Sequence, residues 1–458
     1  MKDGDQILIS VFPHPERLIR LHPSHGPLLS TRSGQSLSVI CGLRRTDASV
    51  WFDPAVPPNR VFVSSGVSRS VLLGLPVETV NAHLQEGTVH VGPTIGILCN
   101  PVWNEKRHTL RWTKQVPALE KLVQAGQRLG AFVYVFGIQD VDFNRGTVLG
   151  YVFRNGAWRP AQLPLPDSIY DQVVSRRLER DKKYQAKRAR LSKMYANRIF
   201  NDGFFDKWKV HEWLWQDRQT RNLVPYSERF TTEGQAIAFI KRHAVTFIKP
   251  VHGSLGVGIV RVTREADGSY RYEVRHRTGR TQNRAATAEA VVEALRRRLR
   301  QSPHLLQQGI PVARYRERPF DIRIVLQRDG SGEWKRTKMF ARVARSGEFT
   351  ANLASGGEAL PVDAVLREAF SAPERRRRAR RLIRRAASLV AAAIEQQCGK
   401  PLGELGVDLA VDESGSVWVL EVNSKPWKAS STDKGRQDLV DLSFLRPMEY
   451  AIRLAQER

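Results

Sequence analysis

Cysteine is scarce in this sequence of 458 residues, and long apolar runs are missing. Its three cysteines, Cys41, Cys99 and Cys398, are too scattered for a disulfide framework or a zinc site. No apolar run approaches the roughly 18 residues that a membrane helix needs, and the first residues lack the basic and apolar regions of a signal peptide. We therefore expect a soluble, reduced, cytoplasmic protein without a membrane span.

Several catalytic and binding motifs are absent as well. The sequence has no Walker A loop, no zinc-finger spacing, no RNA-binding aromatic motif and no convincing Ser-His-Asp or Cys-His arrangement. His243 and His252 are interpreted as structural or solvent-facing. Hydrophobic residues nevertheless make up 41% of the chain, which is enough for a sizeable core and argues against wholesale disorder.

Acidic residues are much fewer than basic ones, 46 against 73, so the formal net charge is +27. Residues 1–90 carry 8 basic and 7 acidic side chains, so almost the whole excess lies beyond them. Much of it falls in three stretches with a helical pattern, Arg176–Arg190, Arg296–Arg300 and Arg375–Arg385. Such runs usually form solvated helix faces, and the alternative is a surface for nucleic acid or another polyanion.

The pattern along the chain predicts three domains of an α/β (α+β) protein. Residues 1–90 combine short strands, such as Ile7–Phe12 and Val61–Val63, with turns, which predicts a small N-terminal β-rich domain. Residues 91–200 predict a Rossmann-like α/β domain with a connector helix. Residues 201–458 predict a larger domain that mixes helices with hairpin strands.

The Rossmann-like prediction rests on a strand–helix–strand pattern. Thr94–Cys99 and Ala131–Phe136 are continuous apolar runs, which are typical of buried parallel strands. Pro117–Leu129 between them has a helical pattern, so the three segments predict a βαβ unit. A long polar helix over Arg176–Met194 is predicted to connect this unit to the last domain.

Lys249 ends an apolar strand that leads into a glycine-rich turn and a second strand. The turn has the pattern Gly-x-x-Gly-x-Gly from Gly253 to Gly258. Glycines let backbone N–H groups approach phosphate oxygens closely, and Lys249 supplies a positive charge. Because a strand follows rather than a helix, this is not a dinucleotide-binding fingerprint. The pattern predicts a phosphate-binding hairpin, and an ordinary hairpin is the alternative.

A second hairpin near the C-terminus carries carboxylates. If Gly406–Asp412 and Val417–Asn423 pair as antiparallel strands, Asp408 and Glu421 lie close together. Glu421 and Asn423 then alternate onto one face. Two carboxylates and an amide oxygen suit Mg²⁺, so the sequence predicts a magnesium site here. The alternative is a hairpin with polar residues on its solvated face.

Two segments between these hairpins complete the pattern. Leu305–Ile310 is an apolar strand that opens onto amides, and Phe320–Leu326 places Arg323 among alternating apolar residues beside Asp321. An arginine in such a strand is either a surface residue or one that is held for a phosphate.

In this order, the motifs of residues 201–430 resemble the ATP-grasp superfamily, and in particular its YheC/YheD type, the endospore coat-associated ATP-grasp proteins. The resemblance also includes Gly92–Ile97, Asn201–Trp208 and Asn352–Gly357, so it covers most of the chain. Some of the elements also look like amino-acid ligases that extend a protein or peptide with glutamate. The resemblance implies an ATP-grasp fold preceded by a Rossmann-like pre-ATP-grasp domain.

By position, the resemblance implies roles for fifteen residues. They are Lys207 and Lys249 on the ATP phosphates; Gly253, Ser254, Gly256 and Gly258 in the flap; Gln307, Gln308 and Ile310 at adenine and ribose; Asp408, Glu421 and Asn423 as Mg²⁺ ligands; and Arg323, Arg342 and Asn352 facing the transferred phosphate or substrate. Two positions depart from the superfamily pattern, since Trp427 replaces a glycine after Pro426 and Gln307 replaces a glutamate.

The resemblance implies an ATP- and Mg²⁺-dependent carboxylate–amine ligase that forms an amide or peptide bond through an acylphosphate. Catalysis of this type depends on positioning and on neutralising phosphate charge. The expected substrates are a carboxylate and an amine from an amino acid, a peptide or an envelope or coat precursor. The alternative is a spore coat-associated structural protein, weakly catalytic or not catalytic, that keeps the ATP-grasp shell and binds a polyanion through its Arg-rich helices.

Overall fold

The computed structural model describes residues 7–73, 80–253, 256–277, 279–351, 353, 356–428 and 436–457. Among these residues, no helix is both long enough and apolar enough to cross a bilayer. The helices are α1 (Gly26–Leu29), α2 (Ser65–Ser70), α3 (Val116–Arg128), α4 (Arg176–Glu179), α5 (Lys182–Tyr195), α6 (Lys207–Gln216), α7 (Glu233–Arg242), α8 (Ala288–Gln301), α9 (Val362–Ala369), α10 (Pro373–Cys398) and α11 (Gln437–Gln456).

The N-terminal region forms a seven-stranded mixed sheet. Its strands are β1 (Leu8–Phe12), β2 (Leu18–Leu21), β3 (Ser36–Cys41), β4 (Arg44–Phe52), β5 (Arg60–Ser64), β6 (Ala82–Gln85) and β7 (Thr88–Val91). They lie in the order β1-β5-β2-β4-β3-β7-β6. The strands that were predicted around Ile9 and Phe62 are confirmed as β1 and β5, which pair in parallel.

The second sheet follows directly. Its strands are β8 (Thr94–Cys99), β11 (Phe132–Asp142), β12 (Thr147–Arg154), β13 (Ala157–Pro164), β14 (Ser168–Asp171) and β15 (Ile199–Phe200), and a small hairpin of β9 (Trp103–Asn104) and β10 (Thr109–Leu110) lies between the first two. The order is β13-β12-β11-β8-β14-β15. Because β8 and β11 are parallel and α3 connects them, the βαβ prediction is confirmed.

Strand β11 contributes to two separate cores because its side chains alternate between the faces of the sheet. Phe132, Tyr134 and Phe136 pack into one core with the N-terminal sheet. Val133 and Val135 pack on the other face with α3 and α11. The last helix of the chain therefore covers the second sheet.

The third sheet is antiparallel and contains the glycine-rich hairpin. Its strands are β16 (Ser227–Arg229), β17 (Val245–Pro250), β18 (Val260–Arg264), β19 (Tyr270–Arg275), β20 (Arg280–Ala285) and β21 (His304–Gln308). They lie in the order β16-β21-β17-β18-β19-β20. Helices α7 and α8 cover one face of it.

The fourth sheet is also antiparallel. Its strands are β22 (Arg314–Tyr315), β23 (Arg318–Arg328), β24 (Trp334–Val343), β25 (Glu358–Leu360), β26 (Glu404–Val411) and β27 (Val417–Asn423). The order is β25-β24-β23-β26-β27, and β22 pairs with β23. Ile322, Ile324 and Val407 pack against α10 on one face, which leaves the opposite face for the polar residues of these strands.

The long polar helix that was predicted over Arg176–Met194 is wrong in one respect, because the structure has two helices there, α4 and α5. Asp181 separates the two helices because it caps the start of α5. Its carboxylate accepts a hydrogen bond from the backbone N–H of Tyr184 at 2.8 Å. The second helix is also partly buried, through Tyr184, Leu191 and Tyr195.

Candidate functional site

A cavity lies between the third and fourth sheets, and its empty volume of about 440 Å³ includes open solvent. Helix α6, β17, β21 and β27 contribute side chains to it. The polar side chains in its lining are Lys207, His211, Lys249, Gln307 and Glu421. The remaining lining residues are apolar, including Val210, Leu214, Val224, Leu305 and Val422. A cavity with an apolar lining and a few convergent polar groups is typical of small-molecule sites.

Lys249 projects into this cavity from the end of β17. Its partly buried ammonium donates a hydrogen bond to Oε1 of Gln307 on the neighbouring strand, whose Nε2 donates to Ser227 Oγ at 3.1 Å. Burial, and then the nearby Lys207, lower the pKa of Lys249 from 10.5 to about 8. An anion in the cavity would therefore be attracted by two neighbouring ammonium groups.

Lys207 begins α6, where it forms an ion pair with Glu421 of β27. Asp206 fixes the start of this helix, since its carboxylate accepts from the backbone N–H groups of Trp208 and Lys209 at 2.8 and 3.0 Å. The contact joins the helix to the fourth sheet, and it places a cation and an anion on the same wall of the cavity.

A β-bulge in β27 decides which way Glu421 points. Asp408 pairs with Glu421, whereas the next residue, Leu409, pairs with Val419, so Leu420 is the extra residue of the bulge. Without the bulge, strict alternation would place Glu421 on the same face as Val419, which lies in the core. The predicted pairing of Asp408 with Glu421 is confirmed.

Four charged side chains form a compact cluster beside the cavity. Arg323 binds both carboxylate oxygens of Asp408, with Nη2 at 2.8 Å from Oδ2. Arg342 contacts Asp408 Oδ2 at 3.0 Å and Asp321 Oδ1 at 2.5 Å. All four lie on the face of the fourth sheet opposite α10, because they are cross-strand neighbours in register. A Cβ added to Gly406 would lie 3.6 Å from Arg323 Nη1.

The two aspartates of this cluster titrate in opposite directions. Burial raises the pKa of Asp321 to about 6, against the opposing effect of Arg342 and with a further increase from Asp408. Burial also opposes ionisation of Asp408, but the guanidiniums of Arg323 and Arg342 outweigh it and hold the pKa of Asp408 below its usual range. Asp408 is therefore the permanent anion of the cluster.

The predicted Mg²⁺ ligands lie on adjacent strands of this face. Asp408 and Glu421 are register partners, and Asn423 pairs with Gly406 two positions along. Carboxylate and amide oxygens fit a hard divalent cation. Glu421 is the more accessible carboxylate, with 33% of its side chain exposed against 6% for Asp408. The described residues contain no cluster of three or more His, Cys, Asp or Glu side chains that could bind a metal ion without an amide.

The glycine-rich turn connects β17 to β18, so the predicted hairpin is confirmed as a hairpin. Gly256 and Gly258 have φ values of +71° and +84°, which favour glycine. Neither they nor Gly253 belongs to the lining of the cavity, and Ser254 lies outside the described residues. The role of this turn as a phosphate flap stays a prediction.

Two further predicted residues, Gln308 and Ile310, lie just beyond Gln307 in the sequence. Gln308 ends β21 and Ile310 follows it, and the cavity lining that the structure describes includes neither. Asn352 lies outside the described residues. Among the described positions, the cavity thus brings together Lys207, Lys249 and Glu421 with Gln307, and the roles of all the predicted residues stay predictions.

His211 is a cavity residue that no sequence motif singled out. Its ring lies between those of Trp208 and Trp215, with centroids 5.4 and 5.8 Å away. Burial, and then Lys249, lower the pKa of His211 to about 4, so the ring is neutral at neutral pH. The spacing of these three aromatic rings, three and four residues apart on one helix, is the only sequence signal for the stack.

Buried Asn201 connects the segment before Lys207 to the segment after Asn423. Its Oδ1 accepts from the backbone N–H groups of Gly403 and Glu404 at 2.9 and 3.0 Å, and its Nδ2 donates to the carbonyl oxygens of Glu404 and Ser424. No motif identified this role, because the partners are more than 200 residues away.

The segment that departs from the superfamily pattern joins the fourth sheet to the second. The side chain of Lys425 is only 1% exposed and forms an ion pair with Asp171, which ends β14, at 2.8 Å. Pro426 follows, and Trp427 is 53% exposed. The lysine therefore has a structural partner in another sheet, whereas the tryptophan faces solvent.

Comparison with known proteins identifies a family for the C-terminal part. Residues 196–454 match the family model of YheC/D-like ATP-grasp proteins. The endospore coat-associated protein YheD of Bacillus subtilis (strain 168) is 26% identical over 374 residues, which cover 82% of this chain and 81% of that protein. YheC of the same strain is 23% identical over 293 residues, which cover 61% and 76% respectively.

Solved structures of ATP-grasp proteins are also similar. The ATP-grasp ligase PsnB with its minimal precursor has a TM-score of 0.43 and 13% identity, and the match covers 79% of this chain and 99% of that one. The D-alanyl-alanine synthetase A of Vibrio cholerae O1 biovar eltor has a TM-score of 0.43 and 12% identity, with coverage of 80% and 98%.

Proposed function

Because this chain belongs to the YheC/D-like ATP-grasp family, we propose that it is an ATP-dependent carboxylate–amine ligase whose ATP phosphates bind in the cavity between the third and fourth sheets. One observation carries the proposal. Lys207, Lys249, Gln307 and Glu421 come from widely separated parts of the sequence and line a single cavity. The family relationship indicates that the nucleotide is ATP. Lys207 and Lys249 in the cavity are cations that suit its phosphates.

In this proposal, Lys207 and Lys249 bind the phosphates. Burial and Lys207 lower the pKa of Lys249 to about 8. A bound phosphate would raise this pKa again, because a nearby negative charge favours the charged ammonium. Glu421, Asn423 and Asp408 would hold Mg²⁺, which supplies charge neutralisation at the phosphates when it is bound. Gln307 orients Lys249 through its hydrogen bond.

The chemistry proceeds in two steps. A carboxylate oxygen of the first substrate forms a bond to the γ-phosphorus as the bond to ADP breaks, which gives an acylphosphate. An amine then attacks the carbonyl carbon and loses a proton, and inorganic phosphate leaves. Arg323 and Arg342 lie on the same face of the fourth sheet as Glu421, where fixed guanidiniums stabilise the negative charge of the transferred group.

The test is an ADP-release screen with ATP, Mg²⁺ and paired carboxylates and amines, drawn from amino acids, peptides and wall or coat precursors. Coat precursors belong in the screen because the curated relatives are coat-associated. ADP release that requires both substrates is expected for the wild type and is expected to be lost in Glu421→Gln. Lys241→Met serves as the control, since Lys241 is exposed on α7 and pairs with Glu289. Lack of ADP release with every pair, in a protein that binds ATP, would favour the non-catalytic alternative.

A further inference from the structure

The three Arg-rich stretches of the sequence differ in the acidic partners that their arginines have in the structure. In α5, Arg188 is buried in ion pairs with Asp171 and Asp202. In α8, Arg296 and Arg300 both pair with Glu233 of α7, at 3.0 and 3.1 Å. The arginines of α10 differ, because most of them have no acidic neighbour.

Helix α10 is strongly two-sided. Ala379, Ile383, Ala386 and Val390 are buried against the fourth sheet. The opposite side of the helix carries a row of exposed arginines that we call the α10 arginine face: Arg377, Arg378, Arg381, Arg384 and Arg385. Three of them, four residues apart, follow the helix over about 12 Å.

Acidic partners are almost missing from this face. Eight arginines lie between Arg375 and Arg385, with no acidic residue among them. Arg377 is 3.8 Å from Glu374, but both side chains are more than three-quarters exposed, so this contact contributes little. Among the described residues, Arg378, Arg381, Arg384 and Arg385 have no ion pair.

A further guanidinium approaches the same surface from the fourth sheet. Arg336 of β24 is largely exposed. Its pKa is lowered from the ordinary value, first by the burial of part of the side chain and then by the positive charges of Arg384 and Arg380. Asp363 contacts Arg380 at 3.1 Å and offsets one of these charges. Like charges four residues apart on a helix repel each other and destabilise the helix, so this surface is more stable with an anion bound.

The α10 arginine face is separate from the ATP cavity. The cavity lining that the structure describes includes no residue of α10, and the exposed arginines lie on the side of α10 opposite its buried residues. An anion that binds here leaves the cavity accessible.

We propose that the α10 arginine face binds the phosphate backbone of duplex nucleic acid without sequence preference. The planar guanidinium forms two parallel hydrogen bonds to a phosphate, and it does so better than lysine. Among the described residues of α10, no large hydrophobic side chain is exposed that would stack on a base, so the surface recognises charge rather than sequence. The proposal does not depend on the ligase activity.

The test is fluorescence anisotropy with a labelled duplex DNA of mixed sequence, about 20 base pairs long, titrated at several salt concentrations. The variant R377Q/R381Q/R385Q removes three cations and keeps good helix formers. If each arginine neutralises one phosphate, the slope of log K against log salt becomes smaller in magnitude by about 2.7. The control R180Q/K182Q/K183Q removes three exposed charges elsewhere and should leave the slope within about one unit of the wild-type value.

Three outcomes would overturn the proposal. They are a wild-type protein that does not bind the duplex at 50–100 mM salt, equal changes of slope in the two variants, and displacement of the duplex by poly-glutamate as effectively as by unlabelled DNA. The last would assign the surface to an acidic protein. Urea unfolding and ATP binding of both variants verify that each is folded.

Discussion

Replacing Lys249 with methionine is expected to separate ATP affinity from folding stability. The variant keeps the apolar length of the side chain and removes the ammonium that donates to Gln307 in the cavity. In the proposed complex, the same ammonium donates to an ATP phosphate. A hydrogen bond to a charged group contributes about 1.5–3 kcal/mol. The dissociation constant for ATP with Mg²⁺ should therefore rise by about 10- to 150-fold, as measured by isothermal titration calorimetry at pH 7.

The folding stability should respond differently. The pKa of Lys249 is about 8 in the folded protein and returns toward 10.5 in the unfolded chain. The unfolded chain therefore binds more protons between pH 8 and 10.5, so the lysine makes the wild-type free energy of unfolding rise with pH in that window. Below pH 8 the buried ammonium lowers the free energy of unfolding, and methionine removes this destabilisation. Urea unfolding should show a variant that is at least as stable as wild type at pH 7, with a flatter pH dependence between 8 and 10.

Two results would refute this reasoning. If ATP affinity changes less than twofold, Lys249 does not contact the phosphates. If ATP affinity and the free energy of unfolding at pH 7 both fall in the variant, the ammonium stabilises the fold rather than the bound ATP. Lys241→Met removes an exposed lysine that pairs with Glu289 and should change neither quantity.

Three further predictions follow from the same geometry. ATP affinity of the wild type should weaken as pH rises through about 8, because Lys249 loses its proton there, and calorimetry of Lys249→Met should show no such step. Glu421→Gln should lower Mg²⁺-dependent ADP release by about 100-fold or more in a coupled assay, and full activity would exclude it as a metal ligand. Asp408→Asn should lower the free energy of unfolding in urea by about 3–5 kcal/mol, because it leaves the guanidiniums of Arg323 and Arg342 without their shared anion.

Local sequence patterns were sufficient for the hairpins that carry the site. The apolar runs on both sides of Lys249 and of the Asp408–Glu421 pair predicted antiparallel strands, and both pairings are confirmed. The order of the motifs also predicted the family, which the match over residues 196–454 confirms. These features depend on short-range alternation and on residue types, which a single sequence displays directly.

Features that depend on distant contacts were not predictable. The bulge at Leu420 is an irregularity in one strand, and the regular alternation of Val417 and Val419 places Glu421 on the wrong face without it. Asn201 acquires its role from backbone groups around Ser424, and His211 reaches the cavity only because α6 packs beside β27.

The acylphosphate is the central claim, and transfer of oxygen is its most direct test. A carboxylate that stimulates ADP release is labelled with ¹⁸O in both oxygens, the reaction is run with its amine partner, and the inorganic phosphate is examined by ³¹P NMR. The proposed chemistry places one ¹⁸O in each phosphate released, because the carboxylate oxygen that bonds to the γ-phosphorus leaves with it. Phosphate that contains no ¹⁸O would mean that water, rather than the carboxylate, attacks ATP, and it would contradict the ligase assignment.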